Sequence, residues 1–500
     1  MDEITSKNLK TVYDSLDEAN KYYHAAGVVD FDLETICPSA AMEKQGECTA
    51  FLSTEGYKIL KRDSFISAAE ELYAGKEELD PLDRELADVL HRDYLKTKNI
   101  TPEFNHEIRM TMNKAYIDWL EAKEKSDFSV FAPSLKKVSD IRLKEMFLRE
   151  EGPDDPYDRM LSDFERGMTS EKIDEVFGAC KERLLPMLDK IKKSKKRIRR
   201  DFMSRLVSDE AQKKLASYLL NTIGYDFTRG AFTTTEHPFT TDIARNDIRV
   251  TTHYYPDAFA SSMYSIIHEG GHAIFGQNQP GEHFDHYVDN RMTMGMHESV
   301  SRFYENRIGR SRPFIKLVFP KMKEILGVLD DVTEEELYEA VNIVEPSLIR
   351  TEADEFTYTL HIIIRYELEK EIVRGADLSK LPGMWSDKYF EYLGIRPSCD
   401  RDGVLQDVHW SGGFGYFPTY ALGNMYNAMY YDRMKKELDI GAALESGDFA
   451  SINGWMAKNV FAKANILPAD VWIKDITGRN FTPDDFLDYL EEKYGEIYGL

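Results

Sequence analysis

The stretch DIRVTTHYYPDAFASSMYSIIHEGGHAIFG, Asp247 to Gly276, holds both kinds of periodicity found in the chain. Over Asp247 to Tyr255, β-branched and aromatic side chains alternate with polar ones, which predicts a short strand. From Asp257 apolar residues recur every three or four positions, which predicts a helix closed at Gly276. Outward from this stretch only the helical period recurs, through Leu16–Ala25, Leu60–Tyr73, Ile108–Ala122, Ile173–Leu188 and Leu337–Val344. A length of 500 residues suggests about three domains at ~150 residues each, yet no linker or repeat marks a boundary. The expected fold is mainly α: one large helical domain over residues 1–500, in two lobes around a deep groove, with a small β-sheet near the HEGGH helix.

Charge narrows the partners. With 64 basic and 88 acidic side chains the net charge is −24, a sign that repels phosphate backbones and anionic headgroups. Neither nucleic acid nor a membrane surface is expected as a partner. No run approaches the ~20 apolar residues of a membrane span, and the N-terminus MDEITSKNLKTVYDSL lacks the pattern of a secretory signal. The four cysteines, Cys37, Cys48, Cys180 and Cys399, form no CxxC pair, so a reducing, cytoplasmic setting is expected. The basic run Lys190 to Arg200, KIKKSKKRIRR, reads as the solvated face of a helix continuing from Leu184.

Seven of the 12 histidines fall between His237 and His297. Among them His268-Glu-Gly-Gly-His272 places two imidazoles four apart, on one face of a helix, where both can reach one ion. Glu269 then stands beside that ion and can accept a proton from water. HExxH occurs by chance in many helices, but Gly270 and Gly271 inside a helix cost about 1 kcal/mol each relative to Ala, which a plain core helix has no reason to carry. A third ligand is offered by Glu298 in HESVSR, with Arg302 spaced to support it from behind. His283, His286 and His297 are rivals for that position, but read more simply as surface or satisfied histidines. Two His, one carboxylate and an open fourth position form a catalytic zinc pattern.

Three further segments carry chemistry. EHPFTT holds His237 just before the strand, and DIRVT holds Arg249 on it; such an edge strand can hold a peptide main chain, although a loop histidine and a salt-bridged strand arginine explain both equally well. IRTEAD holds Arg350 and Asp354 at the expected start of a helix running to Arg374. That spacing suits either a surface ion pair or an arginine oriented by Asp354 to bind a carboxylate bidentately. GVLQDVHW and the Gly- and aromatic-rich residues after it hold His409, Tyr416 and Tyr420, neutral donors suited to an oxyanion, or ordinary core aromatics.

HEGGH, HESVSR followed by EN, EHPFT, DIRVT, IRTEAD and GVLQDVHW, in this order, resemble the M32 metallocarboxypeptidases. Asp127–Pro133, Tyr157–Thr169 and the C-terminal PDDFLDYLEEKY extend the resemblance over nearly the whole chain. It implies a helical fold with a long groove, a cytosolic homodimer, and removal of C-terminal residues from peptides with a free C-terminus. It further implies that His268, His272 and Glu298 bind one zinc ion per subunit, or cobalt, with Glu269 as general base. Arg350 would hold the terminal carboxylate, His237 and Arg249 shape the groove, and His409 and Tyr420 face the scissile carbonyl. Val300 stands where Gln is usual, and Phe31-Asp32 where Trp-Asp is more typical. An endo-acting zinc oligopeptidase and a non-catalytic peptide-binding zinc protein are the alternative readings.

Overall fold

The computed structural model describes residues 2–289 and 291–500. Helices account for nearly all regular structure; the exception is one three-stranded sheet of β1 (Phe232–Thr234), β2 (Thr240–Ala244) and β3 (Asp247–Thr252). β3 is central, parallel to β1 and antiparallel to β2, with Phe232 and Thr240 both opposite Val250. The strand therefore stops at Thr252, short of the predicted Tyr255. Ile248 and Val250 turn into the core beneath the HEGGH helix, Phe259–Asn278, which runs two residues past Gly276. Arg249 projects to the other face, over the Phe31 ring of the long N-terminal helix Glu3–Thr35.

Two glycines explain how closely the HEGGH helix is packed. A Cβ on Gly271 would lie 2.8 Å from Ser301 Cα and 3.2 Å from the Val300 carbonyl oxygen, both backbone of the HESVSR helix Met294–Arg302. A Cβ on Gly270 would meet only the side-chain tips of Ile223 and Leu220, at 2.7 and 2.9 Å. Gly271→Ala is thus expected to force two ligand-bearing helices apart, losing about 1–3 kcal/mol and weakening metal retention. Gly270→Ala should stay near neutral, because the tips can yield and alanine favours the helix by about 1 kcal/mol. Melting temperatures with and without zinc read both; equal losses at the two positions would refute the packing argument.

The main hydrophobic cluster runs from Ala115 to Ile497 and encloses these elements. A second cluster, from Leu9 to Leu90, belongs to the N-terminal helices and reaches the rest through Val288. The basic run departs from its expected form. The helix Ser170–Lys193 ends within it, and the following extended segment lies along acidic partners: Arg199 on Asp201 and Asp331 at 2.7 and 2.5 Å, Lys196 on Glu339, Arg200 on Glu345. Its cations are consumed by intramolecular pairs. All four cysteines are free, and among the described residues no helix is long and apolar enough to cross a membrane.

Candidate active site

On the HEGGH helix His268 and His272 lie one turn apart, as the spacing requires. Glu298 faces them from the HESVSR helix, whose first turn is capped by Thr293 accepting from Met296 N. His268 Nε2 and His272 Nε2 stand 3.6 and 3.7 Å from Glu298 Oε2, too far for hydrogen bonds and close to the ~3.3 Å edge of a tetrahedron with ~2.0–2.1 Å ligand bonds. The three ligand atoms lie within 4.8 Å of one another. Burial and the neighbouring His297 and His268 hold His272 well below its ordinary range, hence neutral. Burial would also lower His268, but Glu298 and Glu305 outweigh it.

The surrounding bonds fix this set. His268 Nδ1 meets Glu305 Oε2 at 2.9 Å, leaving Nε2 free. Arg302 bridges the two carboxylates, Nε to Glu298 Oε1 at 2.7 Å and Nη1 to Glu305 Oε2 at 3.0 Å. Ser301 Oγ donates to Glu298 Oε2 at 3.1 Å. Gly423, in the helix Phe417–Lys435, would place a Cβ 3.0 Å from the Glu298 side chain, so that helix backs the ligand directly. Beyond Arg302 the chain continues as a π-helical turn, Phe303–Gly309, which carries Glu305. Such turns recur at functional sites. Glu269 is 9% exposed and Thr240 Oγ1 of β2 lies 2.8 Å from its Oε2; burial raises its carboxyl, against the lowering effect of His268 and Thr240. Three buried carboxylates here meet Arg302 and, at 3.4 Å from Glu305, Arg310, an excess of negative charge that suits a divalent cation.

A family model described as Carboxypeptidase Taq (M32) metallopeptidase matches residues 11–494. The chain belongs to this M32 family. Carboxypeptidase 1 of Bacillus subtilis is 37% identical over 98% of this chain and 99% of its own. Thermostable carboxypeptidase 1 of Thermus thermophilus is 38% identical over 81% of this chain and 82% of its own. The crystal structure of the M32 carboxypeptidase from Deinococcus radiodurans matches with a TM-score of 0.95 at 31% identity, over 99% of this chain and 100% of that one. As an M32 enzyme the chain is a metallocarboxypeptidase, a hydrolase of peptide bonds.

The second half of this M32 site differs from its sequence reading. Arg350 lies in a short 3-10 turn, Arg350–Glu352, and the helix begins only at Glu355. Asp354 is the N-cap of that helix, accepting from Thr357 N at 2.9 Å, so it does not orient Arg350. Asp407 does: its Oδ1 accepts from Arg350 Nε at 2.9 Å while its Oδ2 accepts from the fully buried Arg365 at 2.6 Å. Burial alone would raise Asp407, but Arg365 and Arg350 hold it well below the carboxylate range. Arg350 Nη1 reaches Tyr358 OH at 3.3 Å, and the Tyr358 ring carries Arg302 at 4.4 Å, linking clamp to triad. His409 Nε2 is 3.3 Å from Tyr420 OH, and burial pushes His409 down to about 4. Tyr416 packs on Tyr420 with ring centroids 5.1 Å apart, and the Arg350 guanidinium lies 5.0 Å from the Tyr420 ring.

Arg249 is occupied by Asp247, at 2.8 and 2.7 Å, and His237 is exposed in the turn from β1 to β2; no hydrogen bond joins either to the triad among the described residues. The rival ligands are satisfied elsewhere: His283 on Asn465 at 3.2 Å, His286 on Tyr13 and Asp83 at 2.8 and 3.0 Å, and His297 stacked 4.4 Å from His272. Val300 is fully buried and touches no groove. Glu305, Asp407, Tyr358 and Thr240 were not singled out from sequence. Glu305 had a signal, seven residues after Glu298 on the same helical face, and Asp407 had one in its place two residues before His409.

Proposed function

We propose that this chain removes residues from the C-terminus of peptides by metal-assisted hydrolysis. The observation that carries the reading is Arg350. Asp407 engages its Nε side, and the outer Nη edge is left able to grip a carboxylate bidentately, on a cluster tied to the His268–His272–Glu298 triad through Tyr358 and Arg302.

His268, His272 and Glu298 would hold one zinc ion, and cobalt suits the same donors. A metal bound there supplies Lewis acidity, polarising the scissile carbonyl and making water acidic near neutral pH. Glu269 takes the proton of the attacking water and returns it to the leaving amine; Thr240 holds its Oε2, so Oε1 remains for the water. His409, kept neutral by burial, and Tyr420 serve the developing oxyanion as hydrogen-bonding partners, with Tyr416 against them. Arg350 fixes the terminal carboxylate and so the scissile bond. His237 and Arg249, on the sheet that carries Thr240, are assigned to the groove wall. A single catalytic domain accords with the main cluster from Ala115 to Ile497, and a cytoplasmic setting with four free cysteines. Homodimerisation is proposed from the family resemblance alone.

Digestion of a peptide library, read by mass spectrometry on chelated and zinc-reloaded protein, tests this. Products shortened stepwise from the C-terminus, only after reloading, are expected. Internal fragments would replace the reading with an endo-acting oligopeptidase.

A further inference from the structure

The loop that carries His409 and Tyr416 is held by a buried carboxylate. Glu369, on the helix Glu355–Val373, is 1% exposed. Its Oε2 accepts from Trp410 Nε1 at 3.0 Å, and its Oε1 accepts from Gly415 N and from Tyr157 OH at 3.0 Å. Trp410 directly follows His409 and Gly415 directly precedes Tyr416, so one side chain pins both ends of the turn between the two groups. That turn is tight: Gly413 and Gly415 have φ of 144° and 95°, conformations that L side chains resist. A Cβ on Gly415 would lie 2.7 Å from the backbone of Met160 and Leu161. Among the described residues no Lys or Arg pairs with Glu369, so nothing about it serves charge balance.

We propose that Glu369 is a positioning residue for turnover, acting through Trp410 and Gly415 to hold His409 and Tyr416 over the reacting carbonyl. This deepens the function proposed above and rests on it.

The chemistry of the donors makes the carboxylate irreplaceable. Trp410 Nε1–H and Gly415 N–H can only donate, and they bind different oxygens. A glutamine has one acceptor oxygen, so one of the two must face its NH₂, whichever way the amide is turned. Glu165 supplies the contrast. It is fully buried and takes Gly295 N at 2.8 Å on Oε2, but on Oε1 it takes two hydroxyls, Thr293 and Tyr426, at 2.8 and 2.9 Å. Hydroxyls can turn and accept, so glutamine fits there.

The test compares zinc-loaded wild type with Glu369→Gln, Trp410→Phe, Tyr157→Phe and Glu165→Gln, measuring kcat, KM, zinc content and melting temperature on one peptide. Glu369→Gln should lower kcat tenfold or more with KM within threefold and zinc retained. Trp410→Phe, which breaks only the bond at the His409 end, should lower kcat severalfold. Tyr157→Phe and Glu165→Gln should stay within twofold. Wild-type kcat in Glu369→Gln, or equal losses in Glu165→Gln, overturns the inference; if Glu369→Gln does not fold, wild-type kcat in Trp410→Phe overturns it instead. Wild type that trims no peptide refutes the proposed function itself, an outcome separate from wild type that trims with Glu369→Gln unimpaired.

Discussion

Glu269→Gln is expected to retain zinc while losing turnover by about 10³-fold or more, at the upper part of what general-base catalysis contributes. The amide keeps the shape and keeps an oxygen for the Thr240 hydroxyl, 2.8 Å away, so the triad geometry should survive. What it loses is the capacity to take a proton. Stability should not fall. Burial raises the folded-state pKa of Glu269 above its ordinary value, so the ionised group disfavours folding above that ordinary range, and a neutral amide removes the penalty. Metal analysis, a thermal melt and kcat together settle the matter; a variant that keeps a tenth of wild-type kcat would remove Glu269 from the role of base.

The second large effect concerns the end of the substrate. Arg350→Lys keeps the charge but loses the planar fork, and a charge-assisted pair of this kind is worth about 1.5–3 kcal/mol, roughly 10- to 100-fold in kcat/KM. Amidating the peptide C-terminus should cost the wild type a similar factor. On the amidated peptide the variant should then lose little more, because the interaction it weakens is already gone. The fold should tolerate the change, since Asp407 keeps Arg365 at 2.6 Å. A full loss on both peptides would mean that Arg350 shapes the site without touching the carboxylate.

Local spacing made the metal half of the site legible in sequence. His268 and His272 are four apart on one helix, and Glu298 and Arg302 four apart on another, so helical geometry alone brings each pair together. Arg350 and Asp354 show where this logic fails. The same spacing was read across a helix start, and the chain at Arg350 is not yet helical; Asp354 turned to cap the helix it precedes. The real partner, Asp407, lies 57 residues away, a contact that no local period encodes. Thr240 likewise reaches Glu269 only because β2 pairs with β3 beside the HEGGH helix. The sheet was foreseen from β3 alone, since β1 is three residues long and β2 is intermediate in burial throughout, without the alternation that marks a strand. The basic run was misread because its acidic partners Asp331, Glu339 and Glu345 belong to distant segments.

The π-helical turn at Phe303–Gly309 places a constraint of a different kind on this protein. A π turn holds one residue more than an α turn in the same span, so deleting any one residue there would let the backbone relax to regular helix. The relaxation would also rotate all that follows by about 100°, carrying Arg310 away from Glu305, now 3.4 Å distant, and from the Tyr264 ring at 3.8 Å. A sequence change that looks like the repair of an irregular helix would thus strip support from the carboxylate that holds His268. Between Arg302 and Ser311 the number of residues, as much as their identity, determines whether the metal triad stands.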